Sequence, residues 1–485
     1  MSIQTRIPYA EILQNQNYVA GQWLAEGTGE KLPVRHKYTQ ELIAEVPMAT
    51  ETQMEQAIVA AQQGFREMRR WSAGQRAEHL YALREALAEE QEWFAQLIVA
   101  EAGKPIGYAR GEIERCLITI GEAAAEAMRF AGEAVNVDFA AGTGHTALTR
   151  RFPIGPIAAI SPFNFPLNLA LHKLAPALAV GNSLVMKPSP YAPLTLLAFT
   201  RLVERVGYPV GAVNILVCDI PVAEKMVRDE RLKMLSFTGS PKVGWHLKSI
   251  AGRKKVTLEL GGNAAVIVDE TANLAQTAET VAKGAYLYAG QICISTQRIY
   301  VLDAVWDAFV PQLTAAVEAL HTGDPAEEST SNGPIIDEQH LSRISKWVEE
   351  ARRSGAKVLT GGEIISREQR LYAPTLLTGT RRDMKVVCEE AFGPVAIVER
   401  VADFQAALDA VNDSDYGLQA GVFTNQFDHM KQAHEDLEVG GVMINNIPGF
   451  RVDTMPYGGV KGSGFGREGI RYAMEDMTEP RLLVY

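Results

Sequence analysis

Cysteine is scarce in this chain: four residues among 485, at positions 116, 218, 293 and 388. Scattered so thinly, they build neither a disulfide framework nor a zinc site, and a reducing cytoplasm is the expected compartment. Long apolar runs are missing, and the amino-terminal stretch MSIQTRIPYAEILQ holds no signal-like apolar core. The nine histidines are dispersed with no HExxH-like ligand pair, so no catalytic metal is expected. Basic charge is in deficit, with 47 Lys and Arg against 58 Asp and Glu and a net charge of −11. The two signs are interleaved and no basic block forms, which argues against a nucleic-acid or anionic-membrane partner.

What remains is ordinary globular composition, 47% hydrophobic and 22% charged, in a chain too long for one core. Residues 18–47 read as short strands and turns. Helical spacing begins near Met54, Ile58, Ala61 and Phe65, and a capping box at Ser72 and Gln75 opens a helix carrying Leu80, Leu83 and Leu87. Further helices are expected over about 91–102 and 108–130. Residues 133–153 turn β-like around Gly-Thr-Gly and read as an exposed hairpin, either a surface excursion or an oligomer contact. From 154 to 260, short apolar runs alternate with helical ones. Such βα units imply a parallel, doubly wound sheet that binds nucleotides at its strands' carboxyl ends. A second α/β series follows Gly261-Gly262.

Several stretches carry chemistry. Cys293, in Gly290-Gln291-Ile292-Cys293-Ile294-Ser295, is either a core cysteine or a thiol nucleophile. Asn164, between Phe163 and Phe165, suits either a helix cap or a neutral donor to an oxyanion. Glu259 stands between leucines at a strand end. A carboxylate there is costly unless paired, and burial would suit it to general-base duty. Gly239 and Ser240 open a strand-to-helix turn whose amides could meet a pyrophosphate. Lys187-Pro188-Ser189 follows a buried strand, where the lysine could reach ribose or phosphate. Glu390 and Phe392 lie two apart beside a Gly-Pro turn, an acid for ribose hydroxyls and a ring for a flat cofactor.

The motifs SPFNFPLNL, FTGSPKVG, LELGG, GQICIS, EEAFGPV and MPYGGVKGSGFGREG occur in the order and spacing of the aldehyde dehydrogenase superfamily. From about Tyr18 to the C-terminus the chain resembles a member. The resemblance implies an α/β fold with a Rossmann-like cofactor domain (1–133 and 154–260), a catalytic domain (261–470) and a small β oligomerisation element (134–153 and 471–485) that makes homodimers or homotetramers. It implies NAD or NADP as cofactor. Cys293 resembles the nucleophile, Asn164 and the Cys293 amide the oxyanion donors, and Glu259 the base that activates water. Lys187 and Glu390 resemble ribose ligands, and Phe392 the nicotinamide-packing ring. Ile160, Ser161, Pro162, Phe163, Ser189, Gly239 and Ser240 fall where the family lines its cofactor site. The implied chemistry is addition of the thiolate to an aldehyde, hydride loss to the nicotinamide, and hydrolysis of the thioester to a carboxylic acid.

Three points stay open at this level. Many NAD-preferring relatives carry a glutamate three residues after the ribose-binding lysine; here that position is Pro190, which leaves NAD and NADP both open. Leu169, His172, Ile292, Ile294 and Tyr457 are expected along the aldehyde tunnel. Arg451, near its mouth, either favours an anionic or hydroxylated aldehyde, of lactaldehyde or glyceraldehyde-3-phosphate type, or makes a structural salt bridge. CoA in place of water as acyl acceptor is disfavoured because Glu259 is present. A non-catalytic protein on the same fold would have no need of Cys293, Asn164 and Glu259 together.

Overall fold

A computed structural model describes residues 13–485; most of the stretch read for a signal core lies outside the described residues. Five parallel strands form the centre of an eight-stranded sheet, in the spatial order Val213–Ile215, Leu184–Lys187, Ile157–Ile160, Met234–Thr238 and Lys255–Glu259. Numbered along the chain, that order is 3-2-1-4-5. It reverses between Ile157–Ile160 and Met234–Thr238, and this is where a doubly wound sheet opens a crevice at its carboxyl edge. The strands are almost continuously apolar because helices cover both faces. The helix Asn168–Val180 is buried all round, as expected of one enclosed by other elements; Ala73–Glu89 and Ile106–Arg129 pack against it.

Local signals set several of these elements. The Ser72 capping box is formed, Gln75 N–H donating to Ser72 Oγ (3.2 Å) and Ser72 N–H to Gln75 Oε1 (2.9 Å). Thr50 and Gln53 repeat the device at the start of Glu51–Met68. The sheet's edges are antiparallel: Asn17–Val19 and Gln22–Leu24 on one side, and on the other Gly464–Phe465, which pairs Gly464 with Glu259. The far end of the chain thus closes over the strand end that carries Glu259.

A second, seven-stranded sheet runs Lys357–Thr360, Thr375–Thr378, Val395–Val401, Thr296–Leu302, Ala264–Val268, Gln419–Phe423 and Gly441–Ile444, parallel except at its first member. The first two of these, Lys357–Thr360 and Thr375–Thr378, are not expected from the sequence; four residues each are too short to show alternation. The hairpin is present: Ala134–Val135 pairs with Ala147–Pro153, and Thr478–Val484 adds along the whole of the latter. Among the described residues no helix is long and apolar enough to cross a membrane.

Candidate active site

Cys293 sits in the loop between the helix Leu274–Tyr286 and the strand Thr296–Leu302. The loop is entered through three successive left-handed residues, Tyr288 (φ 49°), Ala289 (φ 53°) and Gly290 (φ 68°). Only glycine adopts that conformation freely. At Gly290 a Cβ would also lie 2.1 Å from the Gly393 carbonyl oxygen. Gln291 fastens the loop: its Oε1 accepts from Ile336 N–H (2.9 Å), its Nε2 donates to Pro334 O (3.2 Å), and its carbonyl accepts from Asn164 Nδ2 (3.0 Å).

That last bond joins the SPFNF stretch to the thiol loop. Asn164 is buried, and its amide group has two hydrogens. One is held by Gln291, which leaves the other to donate elsewhere. The glycine pair that ends LELGG is explained by close approach. A Cβ on Gly262 would lie 2.1 Å from the Cys293 carbonyl oxygen, and one on Gly261 would lie 2.4 Å from the Glu390 carboxylate.

Two cavities meet at the thiol. One, of about 500 Å³, lies along the carboxyl edge of the first sheet at its switch point. Ile160, Ser161, Pro162, Phe163, Lys187, Ser189, Gly239, Ser240, Glu390 and Phe392, the residues expected around a cofactor, all line it. Pro190, Tyr191, His340 and Arg343 do so as well, and sequence reasoning had not placed the last three there. The other cavity, of about 340 Å³, is lined by Leu169, Ile292, Ile294, Arg451 and Tyr457, and also by Lys104, Tyr108 and Arg115. Cys293, Asn164 and Leu169 border both.

The larger cavity fits a dinucleotide on three observations. Ser161 Oγ is buried in its wall without a partner. Glu390 accepts from Gly262 N–H through Oε1 (2.9 Å), and burial raises its carboxyl to about 7. Phe392, held at φ 46°, meets Phe163 edge-on at 5.9 Å between centroids, so the cavity wall offers aromatic surface for a flat ligand. Lys187 also lies in this wall, and burial lowers its ammonium's pKa below the usual lysine value.

Glu259 is buried, and neither carboxylate oxygen has a hydrogen-bond partner. Burial, reinforced by the charge of Glu468, lifts it well above the carboxylate range, while Arg451 and Lys173 oppose the shift. Its charge is felt at Cys293. Burial pushes the thiol itself up to about 12; a hydrogen bond with Tyr457 and the charge of Arg451 work against burial, and Glu390 and Glu259 add to it.

His172, expected on the tunnel wall, lies behind it. Arg451 donates to His172 Nδ1 (2.8 Å) and to Glu468 Oε2 (3.3 Å), and its guanidinium sits 3.6 Å over the Tyr457 ring. His172 Nε2 lies 2.8 Å from Asp453 Oδ1, and its Nδ1 also lies 3.2 Å from Glu468 Oε2. Asp453 also accepts from Arg115 (2.7 Å). Burial alone would raise the Asp453 carboxyl, but His172 and Arg115 hold it well below the carboxylate range. Lys173 Nζ closes the network, donating to Glu468 Oε1 (2.7 Å) and Thr238 Oγ1 (2.6 Å). Arg451 makes the buried salt bridge that was one of the two alternatives weighed for it, and its side chain also lines the smaller cavity. Arg115 was missed, although Tyr108, Glu112 and Arg115 are spaced four and three apart, along one face of the helix Ile106–Arg129.

A doubly wound sheet with a nucleotide-sized crevice, ending at a thiol beside an amide donor, defines a nucleotide-dependent oxidoreductase. A family model described as "Aldehyde dehydrogenase family" matches residues 23–483, and the chain belongs to that family of NAD(P)-dependent enzymes. It is 42% identical over 476 residues to a 3-sulfolactaldehyde dehydrogenase of Priestia megaterium, covering 98% of each chain. It is 36% identical to a lactaldehyde dehydrogenase of Methanocaldococcus jannaschii, covering 96% of this chain and 99% of the relative. Among solved structures, aldehyde dehydrogenase 21 from Physcomitrella patens, in complex with the reaction product succinate, superposes with a TM-score of 0.94 at 40% identity, over 97% of this chain and 98% of that one. The glyceraldehyde-3-phosphate dehydrogenase GapN from Methanocaldococcus jannaschii, complexed with NADP, superposes with a TM-score of 0.89 at 36% identity, over 94% and 99%.

Proposed function

We propose that this enzyme oxidises a short aldehyde that carries an anionic group at its far end, with Cys293, Asn164 and Glu259 performing the chemistry and Arg115 and Arg451 holding the anion. The observation that carries this reading is the pair of guanidinium groups in the wall of the small cavity that ends at Cys293. Two forks of rigid donors suit a carboxylate, sulfonate or phosphate, and Asp453 and His172 keep them oriented. Three of the four relatives named above point the same way: 3-sulfolactaldehyde, glyceraldehyde-3-phosphate and a bound succinate each have an anionic end, whereas lactaldehyde is uncharged.

In this reading Cys293 Sγ adds to the aldehyde carbon, and the π-electron pair moves to oxygen. Asn164 Nδ2 and the Cys293 amide hold that oxyanion. The larger cavity would hold NAD or NADP, which would supply the acceptor for the hydride lost from that carbon. Lys187 and Glu390 would hold its ribose hydroxyls, and Phe392 would pack on its nicotinamide. Glu259, ionised, takes a proton from water, which cleaves the thioester and releases the carboxylic acid. A base at that strand end supports water over CoA as the acyl acceptor. Pro190 places no carboxylate near Lys187 to repel the 2′-phosphate of NADP, which supports use of either cofactor.

The first sheet with its flanking helices serves as the cofactor domain, the second as the catalytic domain, and the strands Ala147–Pro153 and Thr478–Val484 as the contact that builds a homodimer or homotetramer. The scattered free cysteines and acidic surface accord with a cytoplasmic location.

The test is kcat/KM for succinate semialdehyde, 3-sulfolactaldehyde and glyceraldehyde 3-phosphate against propanal. At least one anionic aldehyde should be preferred by about tenfold or more, mostly in KM. Arg115→Met should lower kcat/KM for it by roughly 10- to 100-fold, the worth of one charge-assisted bond, and leave propanal nearly unchanged. Equal turnover of anionic and neutral aldehydes by the parent enzyme would end this reading.

A further inference from the structure

We propose that Tyr457 is a further catalytic residue: its hydroxyl, 3.2 Å from Cys293 Sγ, donates a hydrogen bond to the thiolate and stabilises it as the attacking species. The proposal rests on Cys293 being the nucleophile.

The starting point is a difficulty in the site itself. A thiol nucleophile normally has a histidine, a cation or a helix N-terminus to stabilise its ionised form. Here, among the described residues, no imidazole and no ammonium or guanidinium lies at hydrogen-bond distance from Sγ; the partner present is the Tyr457 hydroxyl. Burial and the charges of Glu390 and Glu259 all disfavour ionisation. The hydrogen bond from Tyr457 is the strongest opposing influence, ahead of the more distant Arg451.

Between a thiol and a phenol, either atom can donate. Once Sγ has released its proton to solvent water it can only accept, so the direction is fixed from oxygen to sulfur. Tyr457 is built to remain the donor. Burial and the neighbouring thiol raise its own ionisation well above the tyrosine range, so its proton stays on oxygen. The hydroxyl is also held in place. Tyr457 N–H donates to Glu468 O (3.0 Å), and Glu468 N–H donates to Tyr457 O (2.6 Å). The ring lies under the Arg451 guanidinium at 3.6 Å. During attack the sulfur–carbon bond forms, the carbonyl π pair moves to oxygen, and Tyr457 keeps its proton throughout. Its bond to sulfur weakens as charge passes to the oxygen held by Asn164.

The kinetic benefit follows from the thiol's raised pKa. Well below that value, each unit of lowering gives about ten times more thiolate and costs only about threefold in intrinsic nucleophilicity, so the donor speeds attack overall.

The deciding measurement is the pH profile of Cys293 alkylation by iodoacetamide, followed by mass spectrometry of the Cys293 peptide, in wild type and Tyr457→Phe. Phenylalanine keeps the ring beneath Arg451 and removes only the hydroxyl. The profile should be displaced upwards by about one to two pH units, read as a rate lower by roughly three- to tenfold at every pH from about 7 to 9. Wild-type chain carrying 3-fluorotyrosine, whose hydroxyl is a stronger donor, keeps the ring and hydroxyl in place and should shift the profile the other way. Coincident profiles in all three proteins would overturn the proposal. Cys293→Ser separates this from the reading beneath it: a serine variant that still oxidises aldehydes removes the nucleophile itself, whereas an inactive serine variant with unshifted tyrosine profiles removes only the role of Tyr457.

Discussion

Glu259 and Cys293 are each placed where their charged forms are disfavoured, and each has a measurable consequence. Cys293→Ser replaces sulfur by an oxygen that is a far poorer nucleophile near neutral pH. Turnover should fall by about a thousandfold or more, with the melting temperature nearly unchanged. Glu259→Gln should stop the second half of the reaction and spare the first, giving a burst of one reduced cofactor per site followed by a slow steady state. The same substitution should also reveal the cost of burying the carboxyl. Its folded-state pKa is raised above its unfolded value, so the folded chain holds the proton where the unfolded chain releases it. Above about pH 4.5 stability is therefore lost progressively as pH rises towards the folded pKa. Glu259→Gln should stabilise the protein at pH 8, by about 1–3 kcal/mol on the scale of a buried unpaired group, and much less at pH 5. Thermal melting at the two pH values checks this.

Two elements carry consequences of their own. The left-handed run Tyr288-Ala289-Gly290 turns the chain from helix end to thiol loop. At Gly290 both the positive φ and the Gly393 carbonyl oppose a side chain. Gly290→Ala should cost about 2–4 kcal/mol, combining backbone strain with overpacking. It should also lower kcat by displacing Cys293 relative to Asn164, measurable as a reduced denaturation midpoint and slower turnover. The strand Thr478–Val484 offers a free edge, with Leu482, Leu483 and Val484 about half exposed. Such an edge is a template for pairing with another chain. A charge there, as in Leu483→Lys, should shift the proposed homo-oligomer towards smaller species in sedimentation or light scattering without loss of the folded subunit.

Across the whole molecule, the α/β architecture and most of its elements were legible in the sequence, because strands covered on both faces are written as apolar runs and helices as 3.6-residue periods. The Ser72 capping box and the strands Ile157–Ile160, Leu184–Lys187 and Ala264–Val268 appear where local chemistry placed them. So do the glycines of LELGG, whose reason, contact with the Glu390 carboxylate and the Cys293 carbonyl, could not be read locally. Pairing partners across hundreds of residues, such as Glu259 with Gly464 or Ala147–Pro153 with Thr478–Val484, have no signature in either segment alone.

By itself the sequence determined the kinds of chemistry available: a thiol, an amide donor, a carboxylate at a strand end, and glycines where backbones approach. Those depend on residue identity and short-range pattern. The tertiary structure alone decided that Cys293 and Asn164 stand where two cavities join, that His172 backs Arg451 rather than lining the tunnel, that Arg115 enters the site, and that the Tyr457 hydroxyl meets the thiol. Each of these is a distance between segments remote in the chain, set by how the helices and sheets pack, and no local rule of spacing specifies it.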